Sequence, residues 1–234
     1  MTDTIRDTLA EHVRSTREAE REIFDALDPV ARDRPMRPGD WSPKDHQAHL
    51  TAWKERQADR YEATRNGHEP LVDEREDDEI NAELQARTAE WSWEEVARQA
   101  DEVSERLAAE IEATDPATLA ANERLIAGTF GNGPFHAITH FGWLVDGGVG
   151  LDEGRLAGFL DGQERMLKQA TLADRDRGAG LYNLACAHAV AGRLDRARPL
   201  LRDAFGMRVD LAEFAKEDPD LVALRDELPT LSGG

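Results

Sequence analysis

Histidine residues offer the clearest chemistry in this chain, because several of them fall on two segments whose apolar pattern predicts helices. His136 and His140 are four residues apart, so a helix would place both imidazoles on one face, about 6 Å apart. His49 lies on the other predicted helix, beside Leu50 and Trp53. Three imidazoles from two facing helices would hold a divalent ion and leave a coordination position open, as catalytic metal sites do.

The same residues also have a purely structural explanation. Two histidines at this spacing are a weak signal, since imidazoles are often buried only for packing. We expect His46, near the start of its helix, to be partly exposed or to act as a cap, and His188, among alanines, to be packed. The chain has one cysteine, Cys186, which we expect to be buried and unreactive. A single cysteine excludes a disulfide framework and favours a reducing compartment.

Four main helices are predicted to position these histidines. Each begins or ends at a recognisable signal: a proline after an acidic residue, a serine cap before proline or glutamate, or a glycine pair. The predicted helices run from Ile5 to Leu27, from Pro43 to the Asn66-Gly67 pair, from Trp93 to Ile111 and from Phe135 to Val145. No segment alternates as a strand does, so we expect an all-α fold.

The connections between these helices are predicted to be irregular. Arg34 to Asp40 contains two prolines and a glycine, and Phe130 to Pro134 contains two glycines, so both segments should interrupt helix. The acidic run from Asp73 to Glu79 is predicted to be a solvated loop that leads into a short helix around Ile80 to Arg87.

The composition changes after residue 148, which predicts a first domain over residues 1–148 and a second over 149–234. A helix is expected from Leu156 to Leu172. Leu181–Ala189 and Leu194–Phe205 follow as two short helices joined by Ala191-Gly192. Small and large apolar residues alternate on this pair, which therefore resembles one tetratricopeptide-repeat unit.

Charge and hydropathy exclude several classes of function. The formal net charge is −19, which disfavours binding to nucleic acids and to anionic membranes. No run of apolar residues is long enough to cross a bilayer, and no basic segment followed by an apolar run begins the chain. We expect a cytoplasmic protein that acts on a small molecule.

The order of several short motifs resembles the DinB/YfiT-like four-helix bundle superfamily, over about residues 3–147. The motifs are Trp41-Ser42-Pro43-Lys44-Asp45, His49-Leu50-Thr51-Ala52-Trp53, Asn81, the helix after Ser92, and His136-Ala137-Ile138-Thr139-His140. Within that superfamily they are most similar to the ClbS/DfsB branch. The resemblance implies an up-up-down-down bundle, often dimeric, with a pocket at one end.

The same resemblance implies a metal site and a reaction class. In metal-binding members, one histidine of the second helix and two of the fourth hold a divalent ion, and these positions correspond to His49, His136 and His140. Zinc, nickel or ferrous iron would suit nitrogen ligands. Relatives include transferases that use a low-molecular-weight thiol, and the ClbS branch includes a hydrolase of a reactive cyclopropane. Trp53, Asn81 and Trp143 are the candidates for the lining of the substrate pocket.

Three hypotheses follow from the sequence. The first is a metal-dependent enzyme that uses the three-histidine site to act on a small electrophile, as a hydrolase or as a thiol-dependent transferase. Such an enzyme would serve in detoxification or resistance. The second is a metal-free hydrolase or sequestering protein similar to the ClbS branch. The third is a non-enzymatic adaptor that binds a partner through the C-terminal hairpin. The sequence identifies no general base; Asp45, Glu55 and Asp59 lie on the second helix as candidates.

Overall fold

The computed structural model describes residues 2–37, 40–70, 74–169 and 172–233, and within them all regular structure is helical. This confirms the all-α fold class. The α-helices are α1 Thr2–Asp25, α2 Pro29–Asp33, α3 Pro43–Arg65, α4 Asp77–Thr88, α5 Trp93–Ala113, α6 Pro116–Ala120, α7 Glu123–Asn132, α8 Pro134–Asp146, α9 Glu153–Gln169, α10 Asp174–Val190, α11 Leu194–Met207, α12 Val209–Phe214 and α13 Leu228–Leu231; a 3-10 helix spans Pro219–Glu227.

The chain divides into two compact units, residues 1–136 and residues 137–234, and the division falls inside helix α8. The division of the chain into two domains at residue 148 stays a prediction. None of the described helices is long and apolar enough to cross a membrane.

The first unit is built around three long helices, α1, α3 and α5, with α3 also packing against α4 and α7. Helices α1 and α5 each contribute an apolar stripe at helical spacing, because apolar surface removed from water stabilises the fold, whereas α3 buries polar as well as apolar side chains. The fully enclosed members of the core include Phe24, Leu50, Tyr61, Leu107, Ile111 and Phe130.

The ends of α3 follow the predicted chemistry closely. The Ser42 hydroxyl accepts a hydrogen bond from the backbone N–H of Asp45, the Asp45 carboxylate accepts one from the backbone N–H of Ser42, and Pro43 occupies the first turn. Gly67 follows the last turn with a φ of +71°, a left-handed conformation that glycine adopts without strain. These signals fix the register of the helix that carries His49.

Two predicted loops are partly helical. Asp77, Asp78 and Glu79, assigned to an acidic loop, form the first turn of α4, where carboxylates interact favourably with the helix dipole. Asp73 of the same run lies outside the described residues, as do Pro38 and Gly39 of the predicted loop before α3.

The predicted break at Phe130–Pro134 is also narrower than expected. Phe130 to Asn132 continue α7, and only Gly133 leaves helical geometry, with φ −111° and ψ −108°. A Cβ at Gly133 would lie 2.7 Å from the carbonyl oxygen of Thr129, so a larger residue would force the chain apart there. Gly133 therefore allows α8 to begin at once and to carry His136 in its first turn.

The second unit contains the predicted helical hairpin. Helices α10 and α11 pack against each other and are joined by a short turn that contains Gly192, whose φ is +72°. Leu184, Ala185, Ala197 and Leu201 are fully buried, which shows how small residues let the helices approach closely. Helix α9 and the 3-10 helix pack on α10.

Candidate metal centre

The side chains of His49 and His136 meet directly in the first unit. The Nε2 atom of His49, on α3, lies 3.0 Å from the Nε2 atom of His136, on α8, and the ring centroids are 4.8 Å apart. His49 is buried and His136 is half-buried. Two nitrogens at this distance either share one proton in a hydrogen bond or direct both lone pairs toward one cation.

His140 lies one turn beyond His136 on the same helix, as the spacing predicts. Because α8 is continuous, its own geometry holds the second imidazole beside the first. One ring nitrogen from each of His49, His136 and His140 falls in a group whose members all lie within 4.8 Å of one another. The three residues selected from the sequence are therefore brought together.

Two tryptophans border the histidines in the first unit. The ring of Trp41 lies 4.7 Å from the ring of His49 and 5.6 Å from that of His46. The ring of Trp53 lies 6.1 Å from the rings of both His49 and His136. His46 is buried, which corrects the expectation that it is partly exposed; it packs edge-on against Trp41 instead of extending into solvent.

This aromatic environment keeps the imidazoles neutral. Burial, with smaller contributions from the neighbouring His136 and His46, lowers the pKa of His49 to about 3. Burial also lowers the pKa of His136 to about 4, with smaller contributions from the positive charge of Lys54 and from His46. A neutral imidazole is the form that donates a lone pair to a metal, so both rings are ready ligands at neutral pH.

The predicted pocket residues have different neighbours. The indole N–H of Trp53 donates a hydrogen bond to the Asn81 side-chain oxygen at 3.4 Å, so Asn81 holds Trp53 in place beside the histidines. In the second unit the ring of Trp143 lies 4.7 Å from that of His140 and is 45% exposed. A cavity of about 470 Å³ in the first unit is lined by Trp53 but not by Asn81 or Trp143.

The three acids considered as general bases have other partners. Asp45 belongs to the cap of α3, Glu55 pairs with Arg87 at 3.2 Å, and Asp59 pairs with Arg106 at 2.7 Å. None of these contacts directs a carboxylate toward the imidazoles.

The sequence pattern does not predict a buried ion pair that lies in the same unit. The Lys54 ammonium donates to the Glu20 carboxylate at 2.5 Å, and both side chains are fully enclosed. Burial lowers the pKa of Lys54, and the Glu20 carboxylate opposes that shift. The available signal was position: Glu20 follows Thr16 and precedes Ile23 on the apolar face of α1, where a carboxylate requires a partner.

The second unit confirms that His188 and Cys186 are buried. His188 is fully buried, and Cys186 is buried with its sulfur 3.7 Å from an Asp218 carboxylate oxygen. Burial raises the pKa of the Cys186 thiol, and the charges of Asp218 and Asp220 raise it further. The thiol is therefore protonated at neutral pH and is a poor nucleophile.

The three-histidine group fits a bound divalent ion. Two nitrogens that bind one tetrahedral zinc at 2.0–2.1 Å lie roughly 3.3 Å apart, close to the separation seen between His49 and His136. Nitrogen donors of this kind also suit nickel and ferrous iron. Three protein ligands leave a position for water or substrate, which is typical of catalytic sites.

Comparison with known proteins agrees with this architecture. The family model of the DinB superfamily matches residues 12–145, a span that begins in α1 and ends in α8 and includes all three histidines. No curated protein sequence and no solved structure matches the chain significantly. The match covers more than half of the chain, and the chain therefore belongs to the DinB superfamily.

Proposed function

We propose that the protein is a metal-dependent enzyme that acts on a small electrophilic molecule, as a hydrolase or as a thiol-dependent transferase. The observation that carries this proposal is the 3.0 Å approach of His49 Nε2 to His136 Nε2, with His140 one turn along α8. DinB superfamily membership supports it, because members commonly bind a metal through histidines. The class of substrate, the identity of the metal and the use of a thiol co-substrate are all part of this proposal.

Each residue around the site has a definable task. His49, His136 and His140 would hold the ion, and α3 and α8 fix their positions. Trp41 and Trp53 exclude water from one side of the imidazoles, and Asn81 orients Trp53 through its hydrogen bond. A bound ion would supply Lewis acidity, which polarises a substrate or lowers the pKa of a water or thiol near it.

Elemental analysis tests the metal site directly. Protein purified without an affinity tag should contain about one equivalent of a divalent metal, and the His136→Ala, His140→Ala double variant should contain almost none. His68→Ala is the matched control, because His68 is exposed on the loop after α3. Equal metal content in wild-type protein and the double variant would reject the proposal.

A second candidate function needs no metal. The two Nε2 atoms are close enough for a direct imidazole–imidazole hydrogen bond, and the Trp53–Asn81 contact places a polar amide beside an aromatic surface. A hydrolase or sequestering protein of the ClbS/DfsB branch would use such a surface. Wild-type protein that stays metal-free after expression with added zinc, nickel and iron would favour this function over the first.

We further propose that α10 and α11 form a single tetratricopeptide-like unit that packs within the protein or extends a homodimer. The alternative is an adaptor that recognises a partner protein, but such repeats recognise peptides when several are stacked. A chain that ends at Gly150 should be less stable than the full chain. If it remained monodisperse and equally stable, the hairpin would be free to serve an adaptor role.

A further inference from the structure

A second chemical feature lies on the same face of α3 as the metal-site histidine. His49, Trp53, Arg56 and Arg60 follow one another at steps of four, three and four residues, which places them in one row along the helix. The rise per residue puts Arg56 about 10 Å beyond His49 along the helix axis. The row therefore leads from the imidazoles, past an indole, to two guanidinium groups.

These arginines line a cavity. The cavity in the first unit measures about 470 Å³, and Trp53, Arg56, Arg60 and Arg124 all contribute to its wall. That volume falls in the range of small-molecule sites. Trp53 also lies beside His49 and His136, so its indole is a wall common to the histidine cluster and the cavity.

The charge of this cavity contrasts with the rest of the chain. Other arginines of the first unit pair with one or two carboxylates, among them Arg14, Arg17, Arg65 and Arg106. Arg60 is half-buried, and within the described residues neither Arg60 nor Arg124 forms an ion pair with a carboxylate. Arg60 instead donates to the Gln57 side-chain oxygen at 3.2 Å. In a chain of net charge −19, two guanidinium groups without a carboxylate partner among the described residues therefore line one cavity.

The arginines also repel one another. Burial lowers the pKa of Arg60, and the positive charge of Arg56 lowers it further. The guanidinium of Arg56 lies 5.3 Å from the centroid of the Trp53 ring, which holds it at the cavity. The lining also contains two exposed carboxylates, those of Glu69 and Asp77. An anion bound in the cavity would relieve the repulsion between the guanidinium groups of Arg56 and Arg60. Guanidinium groups bind carboxylate and phosphate through paired hydrogen bonds.

We propose that this cavity is an anion subsite, and that the enzyme's substrate is a small molecule with a carboxylate or phosphate remote from its reacting atom. This inference rests on the proposed function for the placement of the reacting atom at the histidines. The anion subsite itself depends only on Trp53, Arg56, Arg60 and Arg124. The arginines would position the substrate, and the histidine cluster would carry the chemistry.

Calorimetric titration with succinate and with inorganic phosphate tests the subsite. Both anions should bind wild-type protein saturably at low ionic strength, and succinamide, the neutral analogue of succinate, should bind far more weakly. Arg60→Gln should weaken succinate binding roughly tenfold or more, since it removes a charged hydrogen-bond donor. Arg98→Gln is the matched control, because Arg98 is exposed on α5 and pairs with Glu102 outside the cavity.

A gain of binding provides a second, independent reading. Asp77→Asn removes a negative charge from the cavity lining and should tighten succinate binding severalfold, a result that misfolding would not produce. The inference is overturned if succinate fails to bind wild-type protein at millimolar concentration, if succinamide binds equally well, or if Arg60→Gln and Arg98→Gln behave alike.

Metal content of the same samples separates this inference from the proposed function. If Arg60→Gln loses anion binding and the wild-type protein contains no metal, the anion subsite is supported and the metal-dependent enzyme is rejected. If the wild-type protein contains a full equivalent of metal and Arg60→Gln binds anions as well as wild-type protein does, the metal site is supported and the anion subsite is rejected.

Discussion

The ammonium of Lys54 and the carboxylate of Glu20 form an ion pair inside the first unit, where neither side chain reaches solvent. A carboxylate oxygen of Glu20 also lies 3.9 Å from a guanidinium nitrogen of Arg17. Another nitrogen of the same guanidinium lies 2.8 Å from a carboxylate oxygen of Asp101. Charges removed from water are tolerated only when their partners are in place. The pair therefore makes α1 and α3 depend on each other, close to the helix segment that carries His49.

Removing one member of this pair should be costly. Lys54→Met leaves the buried Glu20 carboxylate with the neutral Gln47 amide at 3.4 Å and the more distant Arg17 as partners. We therefore expect the free energy of unfolding to fall by about 3–5 kcal/mol. The Lys54→Met, Glu20→Leu double variant should lose much less than the sum of the two single losses, because it leaves no isolated charge. Urea unfolding of the four proteins of this cycle measures the coupling, and additive losses would contradict it.

The two tyrosines of the native protein should not ionise near pH 10, where a free tyrosine does. Burial raises the pKa of Tyr61 to about 12, and burial together with the Asp218 carboxylate holds the pKa of Tyr182 well above its usual range. An unfolded tyrosine ionises near pH 10. Folding therefore favours the neutral phenols, and this contribution to stability is lost as pH rises above about 10.

Absorbance at 295 nm checks that expectation, because the chain has two tyrosines in all. Native protein should show almost no tyrosinate at pH 10.5, and protein in 6 M guanidinium chloride should show substantial ionisation. Tyr182→Phe should remove half of the signal in the denatured protein. A native titration midpoint near pH 10 would show that the hydroxyls are in contact with solvent.

His188 should make the second unit sensitive to acid. Burial, followed by the charges of Arg193 and Arg196, lowers its pKa to about 4, whereas an unfolded histidine titrates near 6.5. The unfolded chain binds the proton first, so the stability due to the neutral ring is present above pH 6.5 and is lost as pH falls from 6.5 to 4.

Nuclear magnetic resonance gives the direct measurement of this shift. The ring protons of His188 should keep their neutral chemical shifts down to pH 5, because its pKa is lowered to about 4. His188→Asn identifies the resonance. A midpoint for His188 near 6.5, the value of an unfolded histidine, would disprove the burial effect.

A small substitution should separate the anion subsite from the histidine cluster. A Cβ at Gly128 would lie 2.6 Å from the Gln57 side-chain oxygen, which accepts from Arg60 and from Asn132. Gly128→Ala should therefore shift the Gln57 amide, release Arg60 and weaken succinate binding, with metal content unchanged. We expect a cost of about 1–2 kcal/mol in the free energy of unfolding, from disturbed buried hydrogen bonds.

Gly131→Ala is the control for this experiment. It lies on the same helix, α7, and its added Cβ meets no atom within 4 Å. It should leave succinate binding unchanged and raise helix stability by roughly 0.5–1 kcal/mol, as alanine does in place of a helical glycine. Identical succinate affinities for the two variants would show that Gln57 does not position Arg60.

The sequence was sufficient for features whose causes are local. The Ser42 cap, Pro43 and the Asn66-Gly67 end give α3 within a residue, and i, i+4 geometry places His136 beside His140. The sequence pattern does not predict helix α7, because Gly131 and Gly133 both indicate a break, although Asn122 caps its first turn. Glycine in a helix costs little enough that burial of Leu125 and Phe130 outweighs it.

The rest depended on contacts between distant segments. The pairing of Lys54 with Glu20 joins residues 34 positions apart, and periodicity alone assigns a lysine to the surface. The cavity beside Trp53 forms where α3, α4 and α7 meet, and α7 was absent from the prediction. The spacing of four residues in the sequence predicts one row on α3: His49, Trp53, Arg56 and Arg60. The sequence alone does not show that the two arginines line a cavity.

The enclosure of Cys186 bears on where sulfur chemistry would begin. The chain contains no other sulfhydryl, and this one is protonated, shielded and held beside a carboxylate. A mercaptan consumed in a transfer reaction would accordingly arrive by diffusion as a separate co-substrate. Alkylating reagents would leave the native molecule unmodified and would label it only when the second unit opens.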